Sequence, residues 1–126
     1  MGFIVIDSAD DTKQLFVNFW NWRPTVELIR SFGIVDSERI HLLGTQCVGA
    51  AVSEDEARQI SRRLQEQVLP SLCAGERVRL DGSVTSEPDD GRMHYGHDFH
   101  ENYSATAEWL TKFGEFCSNC RGFKVL

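Results

Sequence analysis

Apolar and polar positions along the chain divide it into short elements of two periods. Phe3-Ile4-Val5-Ile6 reads as a strand, and Asp7 to Lys13 is polar, with the Ser, Asp and Thr content of a turn. Leu15 to Trp20 is apolar on both faces of a period-two pattern. That predicts a strand covered on both sides, able to pair with the first as a hairpin. Pro24 fits the first position of a helix with Glu27 in its first turn, Val26, Ile29 and Phe32 on its apolar face and Gly33 as its stop. A second short helix runs from an Asp36 cap through Ile40 and Leu43 to Gly44.

The third helix has the fullest signature. Ser53 caps it, Glu56 completes a capping box, and Ala57, Ile60, Leu64 and Val68 recur at helical spacing ahead of Pro70 and Gly75. Val78-Arg79-Leu80 reads as a strand before a turn at Asp81-Gly82. Residues 81–100 have the Gly, Ser, Pro and Asp content of a long loop or loose hairpin, a length that is uncommon in a compact domain and often functional. A last helix spans about Asn102 to Ser118, with Tyr103, Ala107, Leu110, Phe113 and Cys117 as its buried stripe. Gly122 breaks it, and Phe123 to Leu126 alternates as a final strand. The expected fold is α+β: one globular domain over residues 1–126, with a small, mostly antiparallel sheet packed against three to four helices.

Composition narrows the classes. With 126 residues and 41% hydrophobic content, the chain is long enough to bury a core without staples. No apolar run approaches the roughly 20 residues of a membrane helix, and the apolar stretch after Gly2 is too short for an export signal. The expected location is therefore the cytoplasm, where Cys47, Cys73, Cys117 and Cys120 stay reduced. The net charge is -6, and residues 81–100 carry five acids against Arg92 alone. Such a segment repels a phosphate backbone, so nucleic acid is not an expected partner, and neither is a membrane. The arginines at 58, 62, 63, 77 and 79 interleave with acids and read as a solvated helix face.

Four constellations carry candidate chemistry. His94, His97 and His100 fall within seven residues of the acidic stretch, beside Asp89, Asp90, Asp98 and Glu101. Imidazole and carboxylate are the usual ligands of zinc and related divalent metals. The competing reading is a polar loop whose histidines only titrate near neutral pH. Cys117-Ser-Asn-Cys120 has redox spacing, but it falls at a helix C-terminus, where the dipole disfavours a thiolate. The spacing then leaves Cys117 in the core and Cys120 partly exposed. A zinc site shared with His100 fails on length, because the intervening helix is about 24 Å long at 1.5 Å per residue. Cys47, with His41 nearby, reads as a small buried thiol rather than a nucleophile. Finally, Phe16, Phe19, Trp20 and Trp22 precede Arg23, the residue types enriched at binding hot spots, although aromatics at strand spacing are core more often than interface. Asn18 and Asn21 among them need hydrogen-bond partners if buried. The sequence contains no GxGxxG, P-loop, GxSxG or HExxH motif.

The stretch Asn18-Phe-Trp-Asn-Trp-Arg-Pro-Thr-Val-Glu-Leu-Ile resembles a signature of a group of small uncharacterised bacterial proteins. Asp81-Gly-Ser-Val-Thr-Ser-Glu-Pro-Asp-Asp-Gly and Asn102-Tyr-Ser-Ala-Thr-Ala-Glu-Trp-Leu are similar to later parts of the same group. The resemblance implies a bacterial single-domain protein and brings no activity with it.

Three functions are expected from these features. The first is a small acidic cytoplasmic binding protein without catalysis, of immunity or regulatory type, which uses Trp20, Trp22, Asp89 and Asp90 against another, basic protein. The second is a metal-binding protein or metal-dependent hydrolase centred on His94, His97 and His100, with zinc or another divalent ion as its cofactor. The third is a structural homo-oligomer with the aromatic cluster as its interface.

Overall fold

Strand β1, Gly2–Asp7, alternates Phe3, Val5 and Asp7 inward with Ile4 and Ile6 outward. It pairs antiparallel with β2, Gln14–Asn18, in a register that sets Gly2 opposite Asn18 and Ile6 opposite Gln14. The computed structural model describes residues 2–45, 50–87 and 103–126. The expected hairpin is present, but β2 is not covered on both sides: Val17 is buried and Phe16 is 75% exposed.

The chain then turns from strand to helix without a loop. Helix α1, Phe19–Phe32, starts at once because Asn18 caps it, its Oδ1 accepting the N–H of Asn21 at 2.8 Å. Pro24 therefore lies inside the helix rather than at its first position. The Asn18 side chain satisfies one orphan donor six residues before proline can contribute its fixed φ, and the helix is already running when it arrives. Gly33 ends it in the left-handed conformation, φ 70°, as expected.

Helix α2, Ser37–Leu43, is capped by Asp36, and β3, Ala50–Val52, follows. Helix α3, Glu54–Arg63, carries the complete Ser53/Glu56 capping box. It continues through one π turn, Leu64–Val68, and a short 3-10 turn, Leu69–Ser71. The wider turn rotates the stripe, so Leu64 is buried and Val68 only half-buried. Arg39 joins α2 to α3 by a two-pronged pair, Nη1 and Nη2 donating to Oε1 and Oε2 of Glu56 at 2.7 and 2.6 Å, and it also pairs with Asp36. The guanidinium holds the carboxyl of Glu56 below the usual carboxylate range.

Strands β4, Arg77–Arg79, and β5, Val84–Thr85, form a hairpin, and β6, Ser104–Thr106, pairs on the other side of β4. Helix α4 spans Ala107–Asn119, five residues later than expected, because Thr106 caps it by accepting the N–H of Trp109. Tyr103 thus precedes a strand instead of opening the helical stripe. Strand β7, Phe123–Val125, closes the larger sheet between β1 and β3.

The result is the expected α+β fold, with two antiparallel sheets, ordered β2-β1-β7-β3 and β5-β4-β6, in place of one. Helix α1 packs on β1 and β2, α4 meets β7 through Phe113 and Phe116 against Phe123, and α3 packs on α4. Aromatic rings join the layers: Trp22 meets Phe113 edge-on at 5.7 Å, Trp109 stacks on Phe113 at 5.6 Å, and Phe3 lies 6.1 Å from Trp22. Each such ring buries on the order of 150–250 Å², so this spine carries much of the hydrophobic stabilisation. Among the described residues, no helix is long and apolar enough to cross a membrane.

Candidate functional site

The step from strand to helix at Asn18 decides what the two neighbouring tryptophans can do. On a strand, residues two apart share a face; on a helix they lie about 200° apart. Trp20 and Trp22 are both helical, so they point to opposite sides of α1. Trp22 is 0% exposed, and its indole N–H donates to the Leu43 carbonyl at 2.8 Å. It has no surface to offer a partner, and the expectation that it contacts one is corrected on that ground.

Trp20 is 40% exposed. Its ring packs 5.2 Å from Tyr103 and 6.1 Å, edge-on, from Phe19. Arg23, one helical turn beyond Phe19, lays its guanidinium 5.5 Å from the Phe19 ring and 5.3 Å from the Tyr103 ring. Phe19 stacks in turn on Phe3 of the core. The corner is therefore a fixed aromatic wall with a cation set into it, rooted in the sheet and presenting one face of an indole to solvent.

Asn21 holds this corner to β6 of the second sheet, and Thr25 holds it to α4. The Asn21 side chain accepts the N–H of Thr106 at 3.0 Å and donates to Asn18 Oδ1, and Thr25 Oγ1 accepts the indole N–H of Trp109 at 2.9 Å while donating to the Asn21 carbonyl. The asparagines are thus structural ties, not the lining of a polar pocket. Sequence reasoning missed Tyr103 as part of the corner because it placed that residue on α4; the Thr106-x-x-Trp109 cap spacing was the available signal.

A second exposed surface lies on the outer face of the larger sheet. Phe16 stands opposite Ile4, Leu126 exchanges two backbone hydrogen bonds with Ile4, and Leu126 is 42% exposed. Ile6 pairs with Lys124, which brings a positive charge to the strip.

The other candidates divide by position. His94, His97, His100, Asp89, Asp90, Asp98, Glu101 and Cys47 lie outside the described residues. Among the described residues, no group of three or more His, Cys, Asp or Glu is arranged to hold a metal ion. Cys117 and Cys120 are both buried free thiols, so Cys120 is not partly exposed as expected. Burial pushes the Cys117 thiol well up, and burial together with the Asp7 carboxylate raises that of Cys120. Such thiols are poor nucleophiles. Arg58 instead uses this turn structurally, Nη1 donating to the Cys117 and Cys120 carbonyls at 2.8 and 2.7 Å to close the end of α4.

Set against known proteins, the chain matches no family model, no curated protein sequence and no solved structure, so the functional reading rests on its own geometry.

Proposed function

We propose that this protein is a non-catalytic binding protein that engages a basic partner protein through the Trp20–Arg23–Tyr103 corner. The observation that carries the reading is Trp20: a large indole 40% exposed yet held by two rings that also stack on a cation. A free side chain of this size loses rotamer entropy on binding, and one already held loses less. Trp, Tyr and Arg are also the residue types that dominate binding energy at interfaces. The net charge of -6, concentrated at residues 81–100 and including Asp89 and Asp90, supports attraction of a basic partner. An immunity-type or regulatory role fits this chemistry.

The test is purification from the source cells at low salt. Wild-type protein should bring down a basic protein near stoichiometry, and Trp20→Ala should lose it while keeping its circular dichroism spectrum. Reversing Asp89 and Asp90 to Lys should slow association and flatten its salt dependence. Retention of the partner by Trp20→Ala with unchanged affinity overturns the reading.

A second reading is a homo-oligomer built on the outer sheet face, favoured by Phe16 at 75% exposure beside Ile4 and Leu126. Sedimentation across a concentration series should then show association that Phe16→Lys abolishes. A monomer at every concentration removes it.

A further inference from the structure

At the turn end of the β1–β2 hairpin, the end remote from Trp20, the segment Ser8 to Lys13 lies against the α4–β7 turn. The two turns are joined by the Ser8 N–H donating to the Gly122 carbonyl at 3.0 Å. Gly122 has a φ of 85°, and a Cβ there would stand 2.7 Å from the Val52 carbonyl oxygen, so the approach of this turn to the end of β3 needs glycine. Between the turns is a cleft of about 280 Å³ lined by Asp7, Ala9, Asp10, Lys13, Asn119 and Arg121. A water takes about 30 Å³ of liquid volume, so the cleft holds a molecule of several heavy atoms.

Its charges are unusual in sign and pairing. Asp7 is only 2% exposed, yet among the described residues its carboxylate receives just one hydrogen bond, from the Ala9 N–H to Oδ1 at 2.8 Å. A carboxylate removed from water is costly unless a cation or further donors meet it. Lys13 and Arg121 line the same cleft, but neither forms an ion pair with Asp7 or Asp10 among the described residues. Asp10 has one oxygen engaged by the N–H and hydroxyl of Thr12, and Asn119 donates to the Glu115 carbonyl, which leaves its own amide oxygen for the cleft.

Acceptors and cations thus line one space: Lys13 acts on Asp10 through its charge, and among the described residues no ion pair closes across the cleft. A lone metal ion would be repelled by Lys13 and Arg121, and a lone anion by the buried Asp7. The formal charges of the four groups sum to zero. We infer that this cleft binds a small zwitterion, an α-amino acid whose ammonium group sits against Asp7 and whose carboxylate sits against Arg121 and Lys13. Arg121 suits the second role because its planar fork matches a carboxylate.

The test is a titration of the isotope-labelled chain with L-serine, followed by amide resonances. Saturable shifts confined to Ala9, Asp10, Lys13, Asn119 and Arg121 are expected. Methylammonium and acetate, each carrying half of the charge pattern, should bind at least about tenfold more weakly. Asp7→Asn keeps the acceptor for Ala9 and removes the charge, and Arg121→Gln changes an exposed residue; each should weaken L-serine about tenfold with the remaining spectrum intact. Absence of a saturable shift, equal binding of methylammonium, or unchanged binding in Arg121→Gln overturns the inference.

Discussion

Trp20 and Trp22 are the same residue type, two positions apart on one helix, and they do opposite work. Trp22 sits at the centre of the molecule, with Phe113, Phe3 and the Leu43 carbonyl around it. Trp20 stands at the surface on a wall of Phe19 and Tyr103. Hydrophobicity does not separate them. The turn of the helix does, and the helix exists at that point because Asn18 caps it. An apolar cluster in sequence is therefore a core or a contact surface according to the period of the backbone beneath it.

The largest effect expected from this contrast is on stability. Trp22→Ala should lower the free energy of unfolding by about 3–5 kcal/mol, read as a lower urea midpoint. A loss similar to that of a surface substitution would show that Trp22 is not a core residue.

The next effect is smaller and depends on pH. Glu56 ties α3 to the helix that supplies the Leu43 carbonyl to Trp22. Its folded-state pKa lies below the ordinary 4.5, so its contribution is present above that value and is lost as pH falls through the folded pKa. Glu56→Gln should therefore cost about 1–3 kcal/mol at neutral pH, and the gap between its urea midpoint and that of wild type should begin to narrow below pH 4.5 and close as pH falls through the folded pKa. A gap that stays constant with pH would remove the ion pair from the explanation.

Asn18→Ala acts on the device that parts the two indoles. It should cost about 1 kcal/mol and increase exchange of the amide hydrogens in the first turn of α1. Unchanged exchange would show that another group starts the helix.

Trp20→Ala should change stability least, by about 0.5 kcal/mol or less, since a partly exposed ring loses little burial. Of the three tryptophans, Trp20 is the exposed one while Trp22 and Trp109 are buried, so most collisional quenching of fluorescence by acrylamide should vanish in this variant. Quenching that persists would mean the wrong indole has been placed outside.

Much of this architecture was legible in the sequence because it rests on local rules. The Ser53/Glu56 box, the Asp36 cap, the Gly33 stop, the first hairpin and the closing strand all follow from spacing and side-chain chemistry. The misreadings arose where a polar cap interrupted an apolar run. Asn18 turned the latter part of a period-two pattern into helix, and Thr106 moved the start of α4 past Tyr103. The same misreading of period put Trp22 on the candidate surface and left Tyr103 off it. The Asp7–Arg121 cleft was not readable at all, since it depends on two turns meeting through Ser8 and Gly122, 114 residues apart. The polar text of each turn, taken alone, says only that it is a turn.

The proposed contact surface is tested most directly by photocrosslinking in the source cells. The photoreactive amino acid benzoylphenylalanine is placed at position 20 in one strain and at position 62, exposed on α3, in another. Irradiation should yield one discrete adduct with a basic protein from position 20 and none from position 62. No adduct from position 20, or the same adduct from both positions, would contradict the assignment of the Trp20–Arg23–Tyr103 corner as the binding face.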